Sequence, residues 1–382
     1  MKRSVNRCRS LFASLSICLF LVVFQAWGQA EVEKSSEGIR VQGPGVPPHI
    51  EFACCEHGVE QMQSLFAKPG LIGFLRDLHA TVAIPTLDFS PQRADVVRLL
   101  NQQGVPVVGW IILSSDQGFY LTADNAPQAA ARVADFEKWT SDYGLRWAAV
   151  GLDIEPNFAE LAQLRNHRWS LLTKLLRRSL NRGRIVHARK AYSLLIDELR
   201  SRGYPVQIYQ MPYIPAERSV HSSLPDRLLG TVDVRGDQDY LMLYTSFARP
   251  IGAGMIWSLG PHASGIAIGS TDGDVPPGIA SGPLDWNEFS RALIVASHFT
   301  SQIAVYDLEG CVRQGFLPRL LAMNWSQPVI IPSESARRAA RFVLVVRSAL
   351  WIVSNLIYLA AAGLLLIFWL LWRRRIRKRM VK

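Results

Sequence analysis

The 382-residue sequence lacks the cysteine and histidine patterns that hold metals. It contains no C-x-x-C pair and no H-E-x-x-H motif, and its five cysteines and eight histidines are scattered. No glycine-rich dinucleotide fingerprint follows the first strand-like run, and the GSTDG segment at 269–273 does not have the spacing of a serine-hydrolase elbow. We therefore expect no metal and no cofactor.

The middle of the chain also lacks net charge. The formal net charge is +11, yet residues 1–9 carry four Lys or Arg and residues 373–382 carry seven, with no acid in either segment. The roughly 360 residues between them are therefore neutral as a whole. This distribution argues against a nucleic-acid partner and indicates membrane targeting instead.

The N-terminus has the pattern of a secretory signal peptide. A basic start, Lys2–Arg9, precedes an apolar stretch, Leu11–Phe24, and small residues at Gly28–Ala30 offer a cleavage site. We therefore predict a signal segment over 1–30, cleaved or retained. Polar residues rich in Gly and Pro follow and predict a linker over 31–48.

The other end of the chain carries an uncharged run of 24 residues, Ala349–Trp372. It is long enough to cross the lipid bilayer as one helix. A juxtamembrane segment over 331–348 precedes it, and a basic tail over 373–382 follows. The larger number of cations in the tail predicts a single-pass membrane protein with a cytoplasmic tail and an extracytoplasmic domain, periplasmic if the source is bacterial.

Residues 49–330 alternate short apolar runs with longer helical patterns. The eight runs predict strands at Ile50–Cys55, Ala80–Ile84, Val105–Leu113, Trp147–Ile154, Val206–Met211, Asp239–Tyr244, Gly265–Gly269 and Gln302–Tyr306. Helices are predicted at Ser90–Gln102, Asn125–Tyr143, Leu161–Arg202 with a break near Arg182, and Asp285–Phe299. The fold class is therefore α/β, a (β/α)8 TIM-type barrel, with an open doubly wound sheet as the alternative. Residues 307–348 read as irregular.

Three cysteines lie outside the signal segment. Cys54 and Cys55 end the first strand, and Cys311 follows the last one. Because closure of a barrel makes its first and last strands neighbours, we expect a disulfide between Cys311 and one of the pair, with Cys55 preferred.

Polar and aromatic side chains follow the predicted strands, at the end where TIM barrels carry their active sites. The residues taken as substrate-binding candidates are Glu56, Asp88, Asp116, Tyr120, Asn157, Tyr209, Tyr213 and Tyr306. Carboxylates bond sugar hydroxyls and aromatic rings stack on pyranose faces, so this composition favours a glycan ligand.

The fourth strand ends in the segment GLDIEPN, residues 151–157. Asp153 and Glu155 are two residues apart and should point to the same face. Crowding and loss of water should raise one pKa and keep a proton available for general-acid work on a glycosidic oxygen. The competing interpretation is that both carboxylates are structural.

The GLDIE segment resembles the end of the fourth-strand signature D-x-x-D-x-D-x-E of family 18 glycoside hydrolases, the chitinase-like barrels. The DYLMLY segment at 239–244 is similar to their sixth-strand motif. The resemblance implies that Glu155 is the catalytic acid, that Asp153 orients the substrate's 2-acetamido group as the internal nucleophile, and that Tyr244 bonds that group.

The sequence departs from this family at four places. Ala148 and Gly151 stand where the signature has its first two aspartates, Thr245 replaces another Asp, and Tyr306 stands where a Trp is usual. We therefore keep three functions open: a membrane-anchored hydrolase of an envelope or extracellular glycan, a catalytically silent barrel that binds glycan or envelope proteins, and an envelope protein with no sugar connection.

Overall fold

The computed structural model describes residues 38–56, 58–157, 168–272 and 282–380. The predicted signal segment and residues 31–37 of the predicted linker lie outside this range. So do the last two residues of the predicted basic tail.

Eight parallel strands close into a barrel, as the sequence predicts. The strands are β2 His49–Ala53, β3 Thr81–Pro85, β4 Val107–Ile111, β5 Ala149–Asp153, β6 Val206–Gln210, β7 Gln238–Met242, β8 Gly265–Gly269 and β9 Gln302–Tyr306. They pair in chain order, and β9 pairs with β2 through partners such as Tyr306 and Ala53. The closed order excludes the open sheet and confirms the (β/α)8 prediction.

The strands are short apolar runs because both of their faces are covered. Every residue of β3, β4, β5 and β8 is buried. One face packs inside the barrel and the other lies beneath the helices, so these strands show no alternation of polar and apolar residues. At Gly109 a side chain would collide with the ring of Phe136, 2.7 Å from the ideal Cβ position, so the helix layer approaches this strand closely.

Helices follow the strands and cover the barrel. They are α1 Val59–Phe66, α2 Leu71–Asp77, α3 Pro91–Gln102, α4 Ala126–Tyr143, α5 Arg168–Leu180, α6 Arg182–Ser201, α7 Ile214–Ser219, α8 Leu224–Leu229, α9 Gly252–Leu259, α10 Trp286–Ser297, α11 Leu308–Arg313 and α12 Phe316–Leu321. Their starts are encoded locally: Ser90 caps α3 by accepting from the Arg93 amide at 3.3 Å, and Asp285 with Glu288 forms a capping box on α10. The predicted break near Arg182 is confirmed between α5 and α6.

A two-stranded antiparallel ribbon joins the two ends of the barrel domain. Strand β1, Gly38–Gln42, pairs with β10, Pro328–Pro332. The first lies in the segment predicted as a linker, and the second spans residue 330, where the sequence predicts the end of the domain. Each strand is five residues long with one buried residue, and its pairing partner lies about 290 residues away, which leaves little signal in the local pattern.

The C-terminal region is helical, not irregular. Helix α13, Ser333–Ser354, packs on the barrel helices, and α14, Leu356–Met380, follows a break at Asn355. The prediction of one continuous helix over 349–372 was therefore wrong. Among the described residues no single helix is long and apolar enough to span a bilayer, whereas α13 and Tyr358–Trp372 satisfy that condition as a pair bent by 71°.

Candidate functional site

Two carboxyl groups are buried at the C-terminal end of β5. Asp153 is the last residue of the strand, and Glu155 follows after Ile154, which bridges to Leu121. The two side chains interact directly, so they share one face, and they are only 2% and 8% exposed. The structure thus brings together the two residues that the sequence singles out for catalysis.

Burial disfavours ionisation of both groups. It raises the pKa of Asp153 to about 7, although the nearby polar groups of Glu155 and Trp110 favour the charged form and oppose the shift. It also raises the pKa of Glu155 well above its ordinary value, and the neighbouring charges of Asp153 and Glu56 add to this effect. The pair therefore holds at least one proton at neutral pH, and Glu155 is the group that keeps it.

Aromatic side chains form the wall of a small cavity above Asp153. The cavity is about 20 Å³, room for one water molecule, and its wall includes Trp110, Tyr209, Tyr244 and Tyr306. Oδ1 of Asp153 and the indole Nε1 of Trp110 are buried there without a hydrogen-bond partner. An unpaired acceptor and an unpaired donor thus belong to residues that line the same cavity. A polar ligand there could form the missing hydrogen bonds.

The tyrosines connect this cavity with a third carboxyl group. Tyr306 Oη donates to Oε2 of Glu56 at 3.1 Å, and the rings of Tyr244 and Tyr306 are 5.5 Å apart. Burial raises the pKa of Tyr244, and the nearby charges of Glu155 and Asp153 raise it further. Glu56, Tyr244 and Tyr306 therefore lie around the Asp153–Glu155 pair, as the sequence predicts.

A second, open cavity of about 380 Å³ lies beside the first. Its lining is the turn Ser115–Tyr120 together with Asn157, so it brings together the predicted binding residues Asp116, Tyr120 and Asn157. Tyr120 belongs to both sites, since burial and then the charge of Glu155 raise its pKa. We call this cavity the outer groove; Tyr120, in its lining, also packs against the aromatic cluster that contains Trp110 and Tyr209.

Tyr209 is oriented by a polar group inside the barrel. Its Oη donates to Oε1 of Glu51 at 2.6 Å, and Gln207 Nε2 donates to the other oxygen at 2.8 Å. Glu51 is 1% exposed, and burial raises its pKa. A Cβ at Gly151 would approach the Tyr209 ring to 3.0 Å. Tyr209 thus fills the space into which the family 18 aspartate at this position would project.

Two predicted binding residues have other partners. Asp88 accepts from Arg93 Nη2 at 2.9 Å and from the Ser90 amide at 3.0 Å; burial opposes its ionisation, but these hydrogen bonds lower its pKa overall. Tyr213 bonds Thr231 through its hydroxyl at 2.8 Å. Neither residue lines the two cavities. Both side chains are therefore held by partners outside the two cavities, and their role in binding stays a prediction.

The predicted Cys55–Cys311 disulfide is not formed in the structure. Cys54, Cys55 and Cys311 are all free and buried. The two segments are neighbours, because the Cys55 amide donates to Oε1 of Glu309 at 2.6 Å. However, the Cys55 thiol lies against that of Cys54, and Cys311 on α11 directs its thiol to Thr271 Oγ1 at 3.8 Å. Strand adjacency was right, but the side-chain directions could not be read from the sequence.

No group of three or more His, Cys, Asp or Glu side chains in the described ranges is arranged to bind a metal ion.

Three residues near this site were not predicted from the sequence: Trp110, Glu51 and Gln207. Trp110 lies mid-strand in an apolar run, where core packing is the ordinary interpretation. Only knowledge of which strand face points inward could have identified it.

No family model and no curated protein sequence matches the chain. Several solved structures are similar in shape. The glycoside hydrolase domain of PgaB (BpsB) from Bordetella bronchiseptica has a TM-score of 0.44 at 12% identity, covering 72% of this chain and 98% of its own. A putative α-L-fucosidase from Bacteroides thetaiotaomicron has a TM-score of 0.46 at 10% identity, covering 77% and 99%. Gas2p from Saccharomyces cerevisiae has 0.39 at 11%, covering 79% and 67%. At such identities the likeness concerns the fold alone.

Proposed function

We propose that this protein is a membrane-anchored glycoside hydrolase acting on an envelope or extracellular glycan, with Glu155 as the general acid. The observation that carries the proposal is the buried Asp153–Glu155 pair at the C-terminal face of a TIM-type barrel, which retains a proton and adjoins an unpaired donor and acceptor.

The reaction begins with proton transfer from Glu155 to the glycosidic oxygen as the C1–O bond breaks. By the resemblance to family 18, the acetamido oxygen of the substrate attacks C1, while Asp153 accepts a hydrogen bond from the acetamido N–H. Tyr244 lines the same cavity as Asp153, and its hydroxyl is proposed to bond the same group. The Glu155 carboxylate then removes a proton from the water that releases the product.

The inner cavity holds one water and not a sugar ring, so its aromatic wall has to move before a substrate reaches Asp153. The outer groove, with Asp116 and Asn157, has the size of a small-molecule site and offers both hydrogen-bonding and stacking groups. We propose that it holds the sugar next to the scissile bond.

The test is a hydrolysis screen of the full-length protein on a panel of labelled N-acetylated and plain glycans. On a verified substrate, Glu155→Gln should lower kcat by about 10²- to 10⁴-fold, because an amide cannot donate the proton. Asp153→Asn should cost less and Tyr244→Phe less still. Glu60→Gln, the same change on the exposed face of α1, is the matched control. Wild-type rates for Glu155→Gln would remove this residue from the mechanism.

A catalytically silent glycan-binding barrel is the second candidate. The observation that favours it is the space at Gly151, which Tyr209 fills, so the acidic series of the family 18 signature is incomplete. In that case calorimetry should detect glycan binding that Tyr120→Ala weakens at least tenfold, while no glycan in the panel is cleaved. Hydrolysis that depends on Glu155 would exclude this candidate.

A further inference from the structure

Exposed apolar side chains are concentrated in the last two helices. Of the 22 large hydrophobic side chains exposed in the described residues, 15 lie between Leu344 and Trp372. The stretch Leu356–Trp372 has 17 residues without a charge, about 25 Å of helix, and seven Lys or Arg follow within ten residues. A lipid bilayer is the partner that matches an apolar segment followed by a cationic one.

Helix α13 holds this segment against a specific side of the barrel. Near its C-terminus, Val346 and Leu350 are buried on Ala216, and Val220 and Leu224 complete the contact. Ala216 belongs to α7, Val220 follows that helix, and Leu224 is the first residue of α8. The contact fixes where the chain leaves the barrel on its way to the apolar segment.

The contact lies on the mouth side of the barrel. Helix α7 begins four residues after β6 ends, at the C-terminal end of the strand. Tyr213, just before α7, is close enough to Glu155 that this charge contributes to its raised pKa, after burial and the charge of Asp226. The end of α13 is therefore beside the face that carries the Asp153–Glu155 pair.

The chain length limits how far the mouth can be from the bilayer. Leu356, where the apolar stretch of α14 begins, is six residues after Leu350. Six residues span about 9 Å as a helix and at most roughly 21 Å when fully extended. If the opposite end of the barrel, where the strands begin, faced the membrane, the chain would need a longer connection from this contact point.

We propose that the barrel mouth faces the bilayer and that its substrate is a glycan carried at the membrane surface on a lipid. This inference rests on the proposed glycoside hydrolase function for the substrate and on α13 for the orientation. The outer groove, at the rim of the mouth, then opens towards the headgroup layer. A glycan free in solution is the poorer substrate because it reaches this rim without being concentrated there.

The orientation is tested with the full-length protein in bilayer nanodiscs that contain an acceptor dye on a lipid headgroup. Gln117→Cys places a donor dye at the outer groove, and Gln103→Cys, the matched control, places it at the opposite end of the barrel after α3. Both positions are exposed, and the native Cys54, Cys55 and Cys311 are buried. We expect at least twofold higher energy transfer from position 117. Equal transfer, or higher transfer from 103, would overturn the orientation.

The substrate class is tested by inserting a 12-residue Gly/Ser linker after Asn355, which releases the mouth from the membrane. We expect hydrolysis of a vesicle-embedded, lipid-linked glycan to fall at least tenfold and hydrolysis of the same glycan without lipid to be unchanged. An equal rate on the lipid-linked glycan would overturn the substrate proposal. Absence of hydrolysis of both glycans by the wild-type protein would reject the hydrolase, and the energy-transfer result would still decide the orientation.

Discussion

The polar group inside the barrel allows a quantitative test of how Tyr209 is held. Glu51 accepts two hydrogen bonds, from Tyr209 Oη and Gln207 Nε2, and is 1% exposed. Glu51→Leu removes the acceptor of both bonds, and the buried Tyr209 Oη keeps only the longer contact with Gln207 Oε1 at 3.3 Å. At about 1–3 kcal/mol for a poorly satisfied buried group, the variant should lose on the order of 1–3 kcal/mol of unfolding free energy. Glu51→Gln should lose far less, since its amide can bond both neighbours once the Gln207 amide turns over.

The pH dependence of these variants follows from the raised pKa of Glu51. Burial raises the pKa of this carboxyl in the folded protein, so its contribution to stability is fully present below the pKa of the unfolded chain. That contribution is lost as pH rises through the folded value. The stability of Glu51→Gln has no such pH dependence. Its unfolding free energy should therefore rise relative to that of the wild type as pH increases from about 5 to 8.

Denaturant unfolding of the full-length protein, followed by tryptophan fluorescence, measures both effects. A double-mutant cycle of Glu51→Leu with Tyr209→Phe should show a coupling energy of about 1 kcal/mol, because Phe removes the hydroxyl whose shorter hydrogen bond Leu abolishes. Additive effects, or Glu51→Leu as stable as Glu51→Gln, would refute the role of Glu51 in orienting Tyr209.

Two further predictions concern positions away from the cavities. Glu217 on α7 and Asp226 on α8 interact, and burial raises the pKa of both carboxyl groups. In thermal melts, Glu217→Gln should therefore stabilise the protein by on the order of 1–3 kcal/mol at pH 8 and by less at pH 5, while the control Glu60→Gln should have no effect. A loss of stability at pH 8 would contradict this prediction. A Cβ at Gly254 would lie 2.4 Å from the Ser335 carbonyl oxygen of α13, so Gly254→Ala should lower the unfolding free energy by about 1–3 kcal/mol. Gly73→Ala in α2 has open space around it and should leave the unfolding free energy unchanged or raise it by up to about 1 kcal/mol. Equal melting temperatures of the two variants would show that α13 does not pack as described.

The sequence predicted the parts of this fold that local chemistry decides. All eight barrel strands were recognisable because parallel strands covered on both faces are mostly apolar, and the beginnings of α3 and α10 carried their own capping residues. The ribbon of β1 and β10 was missed because its stability comes from a partner about 290 residues away.

The candidate site was also predictable only where strand order and position decide which residues meet. Asp153, Glu155 and Tyr244 follow strands of one barrel, so their convergence needed only the fold. The partner of Tyr209 did not follow from its own segment, since Glu51 is 158 residues away and reaches it across the barrel interior. The ion pair of Asp88 with Arg93, which lies in the next helix, was likewise not read from the segment around Asp88.

The ribbon also determines how the barrel would respond to mechanical load. Gly38 pairs with Pro332, so the chain before β1 and the start of α13 leave from the same end of the ribbon. A force that pulls these two chain segments apart would break the residue pairs of the ribbon one after another, starting at Gly38 and Pro332. It would not shear all five pairs at once. Tension on the chain before β1 would then be released at these five pairs before it reached the eight strands that hold Asp153 and Glu155.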